Sequence, residues 1–441
     1  MSSQVALLLC YLLIAWLFKK DMKWREAGSW ELLIPGAWLA IQGSRPVSYW
    51  FGSGDMASDV EGNPVNTLIY AVFILASVVM LRKKGVNWGE FITQNKALCL
   101  IYCYLAMSAF WSDMPFISLK RLMKDFGCVL MALVFLTQAD PGAAVRAVFV
   151  RVSYLLFPLS ALCIKYFPEI GRSFTRAGEP MFTGLTTQKN SLGEVVFVFS
   201  LILLWDLYEI YKEGDRKGKK TQLLIRIGIL IVGFWLLSKC DSQTSLLCLI
   251  LGIVIFWGGL CLMRMRQGRQ ILMIFLAVII CLFTLDKTFG LSDMVIRAMG
   301  RNPTLTGRTD IWRLVLEQQT DPLVGNGFYT FWDSDKGKAV MNSFMKINEA
   351  HNGYLEMYLD GGLIGDTLLG LLLLTAGKRV VDRLFSATTF GKIALIFWFL
   401  AIIYNLSETS YFRLDPLWFT FLLVTIECQR RMPPIMVNES A

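Results

Sequence analysis

The chain has one histidine among its 441 residues, which excludes a metal site built from several imidazoles. It is also poor in charge: 17% of residues are Asp, Glu, Lys or Arg, against 55% apolar. A soluble fold of this length would need more charged surface to cover its core. Cysteine occurs ten times but in no informative spacing. Cys99, Cys103, Cys163, Cys248 and Cys281 fall in apolar blocks, where they read as small apolar side chains rather than ligands or disulfide partners. The formal charge of +9 would serve nucleic acid only through a basic face interleaved with aromatics, and the lysines and arginines instead flank apolar blocks. Neither a nucleic-acid partner nor a cofactor is expected.

What is abundant is apolar sequence in runs. Blocks of 12 to 20 apolar residues recur along the chain, close to the ~20 residues that a helix needs to cross hydrocarbon. Candidate spans centre on 5–18, 30–43, 66–81, 97–111, 126–138, 147–163, 191–208, 223–238, 244–262, 270–285, 355–376, 393–406 and 416–428. The second is interrupted by Pro35 and the fifth is short. The expected fold class is an all-α polytopic membrane protein with about 12–13 transmembrane helices and the lipid bilayer as its surroundings. Three parts are expected: an N-terminal bundle over 1–285, one large loop over 286–352, and C-terminal helices with a short tail over 353–441.

No basic region precedes the first block, Val5–Phe18, and no small-residue cleavage site follows it; Lys19, Lys20, Lys23 and Arg25 come next. That pattern favours a first span with its N-terminus outside over a cleaved signal. In that orientation the cytoplasmic windows hold 24 Lys and Arg and the short outer windows hold 10. The large loop, 67 residues with eight basic and eight acidic side chains, then lies outside.

The outer windows contain Gly43-Ser44-Arg45-Pro46, Ser118-Leu119-Lys120-Arg121, Arg172, Arg176 and Thr187-Gln188-Lys189-Asn190. Basic residues there run against the topology rule. Snorkelling at a helix end accounts for any one of them, Lys165 and Lys239 most simply. As a set in Gly/Ser/Thr-rich turns they suit a polyanion such as a diphosphate, which arginine's planar fork grips well.

A loop of this length needs internal structure. Thr306-Gly307-Arg308-Thr309-Asp310 predicts a helix start, with Thr306 or Thr309 as its cap. Ile311, Trp312, Val315 and Leu316 would share an apolar face, and Asp321-Pro322 would stop the helix. Gly325-Asn326-Gly327-Phe328 predicts a turn, and the polar stretch Asp333–Lys346 is expected to be mobile. Tyr354, Leu355, Tyr358 and Leu359 predict a helix from near Asn352. His351 would stand at its N-terminus, where the local field keeps an imidazole neutral and fit to act as a general base. Capping the helix end is the plainer alternative. Glu408, also outside, is a rival base. Asp366 is an acid inside a span, placed there for function or to pair with a neighbouring helix.

Taken in order, these segments resemble a known family. Leu305–Trp312, Pro322–Phe328, Ala350-His351-Asn352-Gly353-Tyr354-Leu355 and Gly362-Leu363-Ile364-Gly365 are similar to the C-terminal signature of the O-antigen ligase and Wzy-type polysaccharide polymerase superfamily. Lys189-Asn190-Ser191-Leu192-Gly193 and Asp241-Ser242-Gln243-Thr244-Ser245 match further segments. Ser44–Trp50 and Tyr404-Asn405-Leu406-Ser407-Glu408 resemble the exopolysaccharide-polymerase branch. The resemblance implies a GT-C-like membrane glycosyltransferase at the periplasmic face of a bacterial inner membrane, using neither metal nor nucleotide sugar. Its implied donor is an undecaprenyl-diphosphate-linked oligosaccharide, attacked at the anomeric carbon by an acceptor hydroxyl with inversion. Two arginines would hold the diphosphate and one loop histidine would assist the acceptor. Arg308 falls on one arginine position and His351 on the histidine. The other arginine is replaced by Gln243, so a cation among Lys189, Lys239, Arg45 and Arg176 would substitute for it.

The expected activity is polymerisation of exopolysaccharide or O-antigen repeat units, with a flippase or chain-length regulator as protein partner. Joining the glycan to lipid A-core, as an O-antigen ligase does, is the alternative. A transporter would show ionisable residues at mid-membrane and repeated halves, and no internal repeat is visible. A non-catalytic export subunit is the remaining class.

Overall fold

In the computed structural model, residues 2–24, 30–52, 63–174, 178–214, 218–274, 308–318, 320–343, 348–386 and 390–428 are described. The chain is α-helical throughout this range, apart from one antiparallel hairpin pairing Arg172–Phe174 with Pro180–Phe182. Among the described residues, six helices are long and apolar enough to cross a membrane: Pro64–Lys84, Pro141–Tyr166, Lys189–Lys212, Lys219–Cys240, Gln243–Arg264 and Gly353–Phe385. Shorter apolar helices cover Lys96–Phe110, Gly391–Tyr404 and Pro416–Thr425. The tenth expected span, 270–285, lies mostly outside the described residues. The chain is a multi-pass membrane protein, and its helices divide into two compact units.

The first unit comprises 1–100, 123–249 and 412–441. Its core is the face-to-face packing of Pro141–Tyr166 and Lys189–Lys212, whose membrane-length windows are 72% and 78% buried. Residues that are apolar on every side make such helices central rather than lipid-facing. Tight crossings depend on small residues: a Cβ at Gly193 would lie 2.5 Å from the Ser245 hydroxyl. The matched segments at 189–193 and 241–245 therefore pack against each other. Glu194, buried in the next turn, accepts from the Leu417 amide at 3.0 Å and so caps Pro416–Thr425.

The same unit buries a network of charge. Fully buried Arg226 donates to Asp21 at 2.8 Å and Asp206 at 3.2 Å; Arg151 reaches Asp21 at 2.8 Å and Arg146 lies 3.7 Å from Asp206. Four helices are tied together by these pairs. In low dielectric such groups stay charged only because each carboxylate meets two guanidinium groups.

The second unit comprises 101–122 and 250–411. Its longest helix, Gly353–Phe385, is broken at Gly362, where φ is 61° and ψ is −161°. The segment 322–327 stitches the break from both sides. Amides of Asn326 and Gly327 donate to the Leu359 and Asp360 carbonyls, at 2.8 and 3.1 Å, and close the first half. Amides of Leu363 and Ile364 donate to the Pro322 and Leu323 carbonyls, at 2.9 and 3.2 Å, and open the second. These are the orphan groups that any helix end must satisfy. A Cβ at Gly362 would collide with the Leu323 backbone, so glycine is required there for space as well as for its positive φ.

Candidate functional site

The site is assembled in the second unit from three sequence-distant segments. Helix Arg308–Leu316 packs through Ile311 and Val315, with Trp312 alongside, onto Phe331, Trp332, Val340, Ala350 and Leu359. Leu316 is 58% exposed, so the apolar face is narrower than the spacing predicts. Thr309 lies inside this helix rather than capping it, and Thr306 is outside the described residues. The stretch expected to be mobile forms a helix over Asp335–Ser343 instead, because Val340 and Gly337 are buried against the same core.

Buried Glu356 anchors the segment that carries the histidine. Its carboxylate accepts from the Ala350 amide at 2.6 Å and from the Trp332 indole at 3.0 Å, while the Ala350 carbonyl accepts from Trp312 at 2.9 Å. Asn352 caps the following helix, its Oδ1 accepting from the Tyr354 and Leu355 amides. The Gly353 amide donates to the Asn405 and Glu408 carbonyls, at 2.9 and 3.0 Å. No side chain fits at Gly353, because a Cβ would meet the Asn405 amide group. Held from both sides, His351 adopts φ 49°, a left-handed conformation that costs a residue with a Cβ on the order of 1–3 kcal/mol. Such strain persists only where neighbours overdetermine it.

These constraints bring the three polar residues together. His351 Nδ1 lies 3.2 Å from Glu408 Oε2 and 3.4 Å from Glu349 Oε1. Arg308 donates through Nη2 to Glu408 Oε1 at 2.6 Å and through Nη1 to the Ser407 carbonyl. Glu408 thus bridges the arginine and the histidine. Its side chain is 6% exposed, against 17% for Arg308 and 24% for His351. Burial pulls the imidazole pKa down, but the Glu408 hydrogen bond and the charges of Glu349 and Glu408 outweigh it, and Arg308 opposes them only in part. The net shift is upward. The two carboxylates beside the ring thus oppose the neutral form that the helix end alone would favour.

Of the remaining sequence candidates, Arg45, Lys189, Lys239 and Gln243 belong to the first unit, and Arg121 and Asp366 to the second. Arg45 donates to the Ile170 and Thr186 carbonyls, at 2.5 and 3.4 Å, and so holds a loop. Lys189 opens helix Lys189–Lys212, half-buried. Exposed Lys239 lies 5.9 Å from the ring centres of both Phe182 and Trp235. Gln243 donates to Asp241 at 3.2 Å. Arg176 is outside the described residues. Within the second unit, Arg121 is taken up by structure: it donates to the Tyr329 carbonyl and pairs with Asp333 at 2.5 Å. Asp366 lies one turn beyond the Gly362 break, with Oδ1 buried and without a hydrogen bond. Asn405 lies within one of the segments that resemble the family, and Glu349 and Glu356 flank another, but no spacing marks any of the three as part of the site.

Residues 227–372 match the family model described as O-antigen ligase. The match spans Arg308, His351, Glu356 and the break at Gly362, and ends within Gly353–Phe385, short of Glu408. Across 382 residues the chain is 23% identical to the exopolysaccharide production protein ExoQ of Rhizobium meliloti (strain 1021), covering 83% of this chain and 84% of that one. The two matches, one over 227–372 and one over most of both chains, make the chain similar to the O-antigen ligase family and to an exopolysaccharide production protein.

Proposed function

We propose that the protein is a metal-independent inverting glycosyltransferase that transfers a glycan from undecaprenyl diphosphate to an acceptor sugar hydroxyl. The observation that carries the reading is the assembly of Arg308, Glu408 and the chain's single histidine within one unit. Diphosphate leaves readily once its charge is matched, so a fixed guanidinium supplies much of the required stabilisation. The acceptor proton passes to His351, the acceptor oxygen bonds to the anomeric carbon, and the carbon–phosphate-oxygen bond breaks with its electron pair on the departing lipid diphosphate. Lys189, Lys239, Arg45 and Arg176 remain the candidates for a second cation in place of the arginine absent at Gln243.

The distribution of Lys and Arg, 24 against 10, supports placing this chemistry at the periplasmic face of the inner membrane. The name of the Rhizobium relative, together with Gln243, favours polymerisation of repeat units over ligation to lipid A-core. A flippase or chain-length regulator would then be the partner that supplies donor or sets product length.

The deciding experiment is turnover of a purified lipid-linked donor with acceptor in the presence of a chelator. Wild type should be unaffected by the chelator, and His351→Ala should lose on the order of 10²–10⁴-fold in rate while still binding donor. Wild-type turnover by His351→Ala would rule out the base assignment.

A further inference from the structure

We propose that Glu408 is the positioning residue of the site: it locks the imidazole of His351 into the tautomer with its proton on Nδ1, and is itself locked by Arg308. The inference rests on the reading of His351 as acceptor base and adds to it the group that makes Nε2 the reactive nitrogen.

The geometry leaves little choice of tautomer. An ionised carboxylate only accepts hydrogen bonds, so a ring nitrogen 3.2 Å from Glu408 Oε2 must carry a proton. The lone pair then sits on Nε2, on the opposite edge of the ring. The other oxygen of Glu408 holds Arg308 at 2.6 Å, and its main-chain neighbour Ser407 accepts from the same guanidinium. Glu349 faces the same nitrogen from 3.4 Å, but its side chain is 28% exposed where that of Glu408 is 6%. Screening by water therefore leaves Glu408 the stronger influence. The charged groups facing the ring are these two acids and Arg308.

The shared carboxylate also links the two halves of the reaction. A diphosphate arriving at Arg308 competes with Glu408 for the guanidinium. As that pair loosens, Glu408 is left to the imidazolium that forms when the acceptor proton is taken up. Stabilisation then grows toward the transition state rather than in the resting enzyme, the condition for an interaction to raise turnover.

A single histidine makes the test direct. Full-length protein labelled with ¹⁵N in the imidazole ring, and purified without a polyhistidine tag, gives one pair of ring resonances that report tautomer and protonation. Wild type should show the Nδ1–H form once neutral. Glu408→Gln, which offers an amide N–H to Nδ1, should shift the neutral ring toward Nε2–H and lower its pKa. It should also reduce turnover by roughly 10²–10⁴-fold, with Glu408→Asp recovering part of both. Glu349→Gln should leave the tautomer as in wild type. Arg308→Gln should raise the imidazole pKa, because the guanidinium charge beside the ring is lost. An unchanged tautomer in Glu408→Gln, or a flip in Glu349→Gln instead, overturns the proposal. Because the resonances are read without substrate, that failure stays distinct from failure of the base assignment, which only turnover by His351→Ala decides.

Discussion

In the proposed reaction His351 takes up a proton, so it has to give up its own first, and its surroundings oppose that release. Its imidazole holds a proton above the ordinary histidine range because Glu408 and Glu349 outweigh burial. The acid limb of kcat/KM for the free enzyme should consequently lie above that of an unperturbed imidazole, and should shift downward in Glu408→Gln. The same upward shift has a stability consequence. Its contribution is complete below the unfolded histidine pKa and is lost as pH rises through the folded value, so unfolding followed by denaturant should show a loss over that interval in wild type and none in His351→Gln. At Arg308 the charge alone is insufficient. Arg308→Lys keeps it but cannot span the Ser407 carbonyl and Glu408 together, and polymer yield should fall sharply at unchanged protein level.

Among the elements, apolar blocks were legible because a span is a run of composition, and runs survive without tertiary knowledge. The break at Gly362 was not, since Leu359, Leu363 and Ile364 continue a helical apolar rhythm across it. Nor could spacing foretell that Glu408 would meet His351, 57 positions earlier. The Gly353 amide, which donates to the Asn405 and Glu408 carbonyls, brings those two segments together, with Tyr354 adding contacts to the Ile402 carbonyl and Tyr411. The Asp335–Ser343 helix was missed for a related reason: its apolar side chains are few, and one of them, Val340, is fully used. The stitch at Gly362 predicts a definite cost. Gly362→Ala forces both a positive φ and a collision with backbone, and should destabilise by roughly 1–3 kcal/mol or more, visible as a lowered unfolding midpoint in detergent. Gly370→Ala, where a Cβ meets nothing, is the matched control.

For the whole molecule, orientation and integrity can be tested separately. If the large loop is periplasmic, reporter fusions after Lys220 and Arg269 should read cytoplasmic and one within Asp335–Ser343 periplasmic; the reverse result would move the proposed chemistry to the other side of the membrane. The charge network of the first unit lay hidden in sequence because Asp21 and Asp206 stand near helix ends, where acids are ordinary. Arg226→Met leaves their carboxylates short of a partner in low dielectric, at a cost of about 3–5 kcal/mol. Thermal unfolding of Arg226→Met should fall well below that of Arg269→Met, which breaks the exposed pair with Asp382.

The reciprocal stitch between 322–327 and the broken helix also constrains the order of biogenesis. A ribosome releases 322–327 before any of Gly353–Phe385 exists, so the Asn326 and Gly327 amides and the Pro322 and Leu323 carbonyls at first lack these partners. Their permanent partners arrive when that helix enters the bilayer, and until then Leu363 and Ile364 lack the carbonyls that begin the second half. Docking of the loop and insertion of the helix are therefore a single event. A chain truncated at 352 should expose 322–327 to added protease, and one truncated at 386 should protect it.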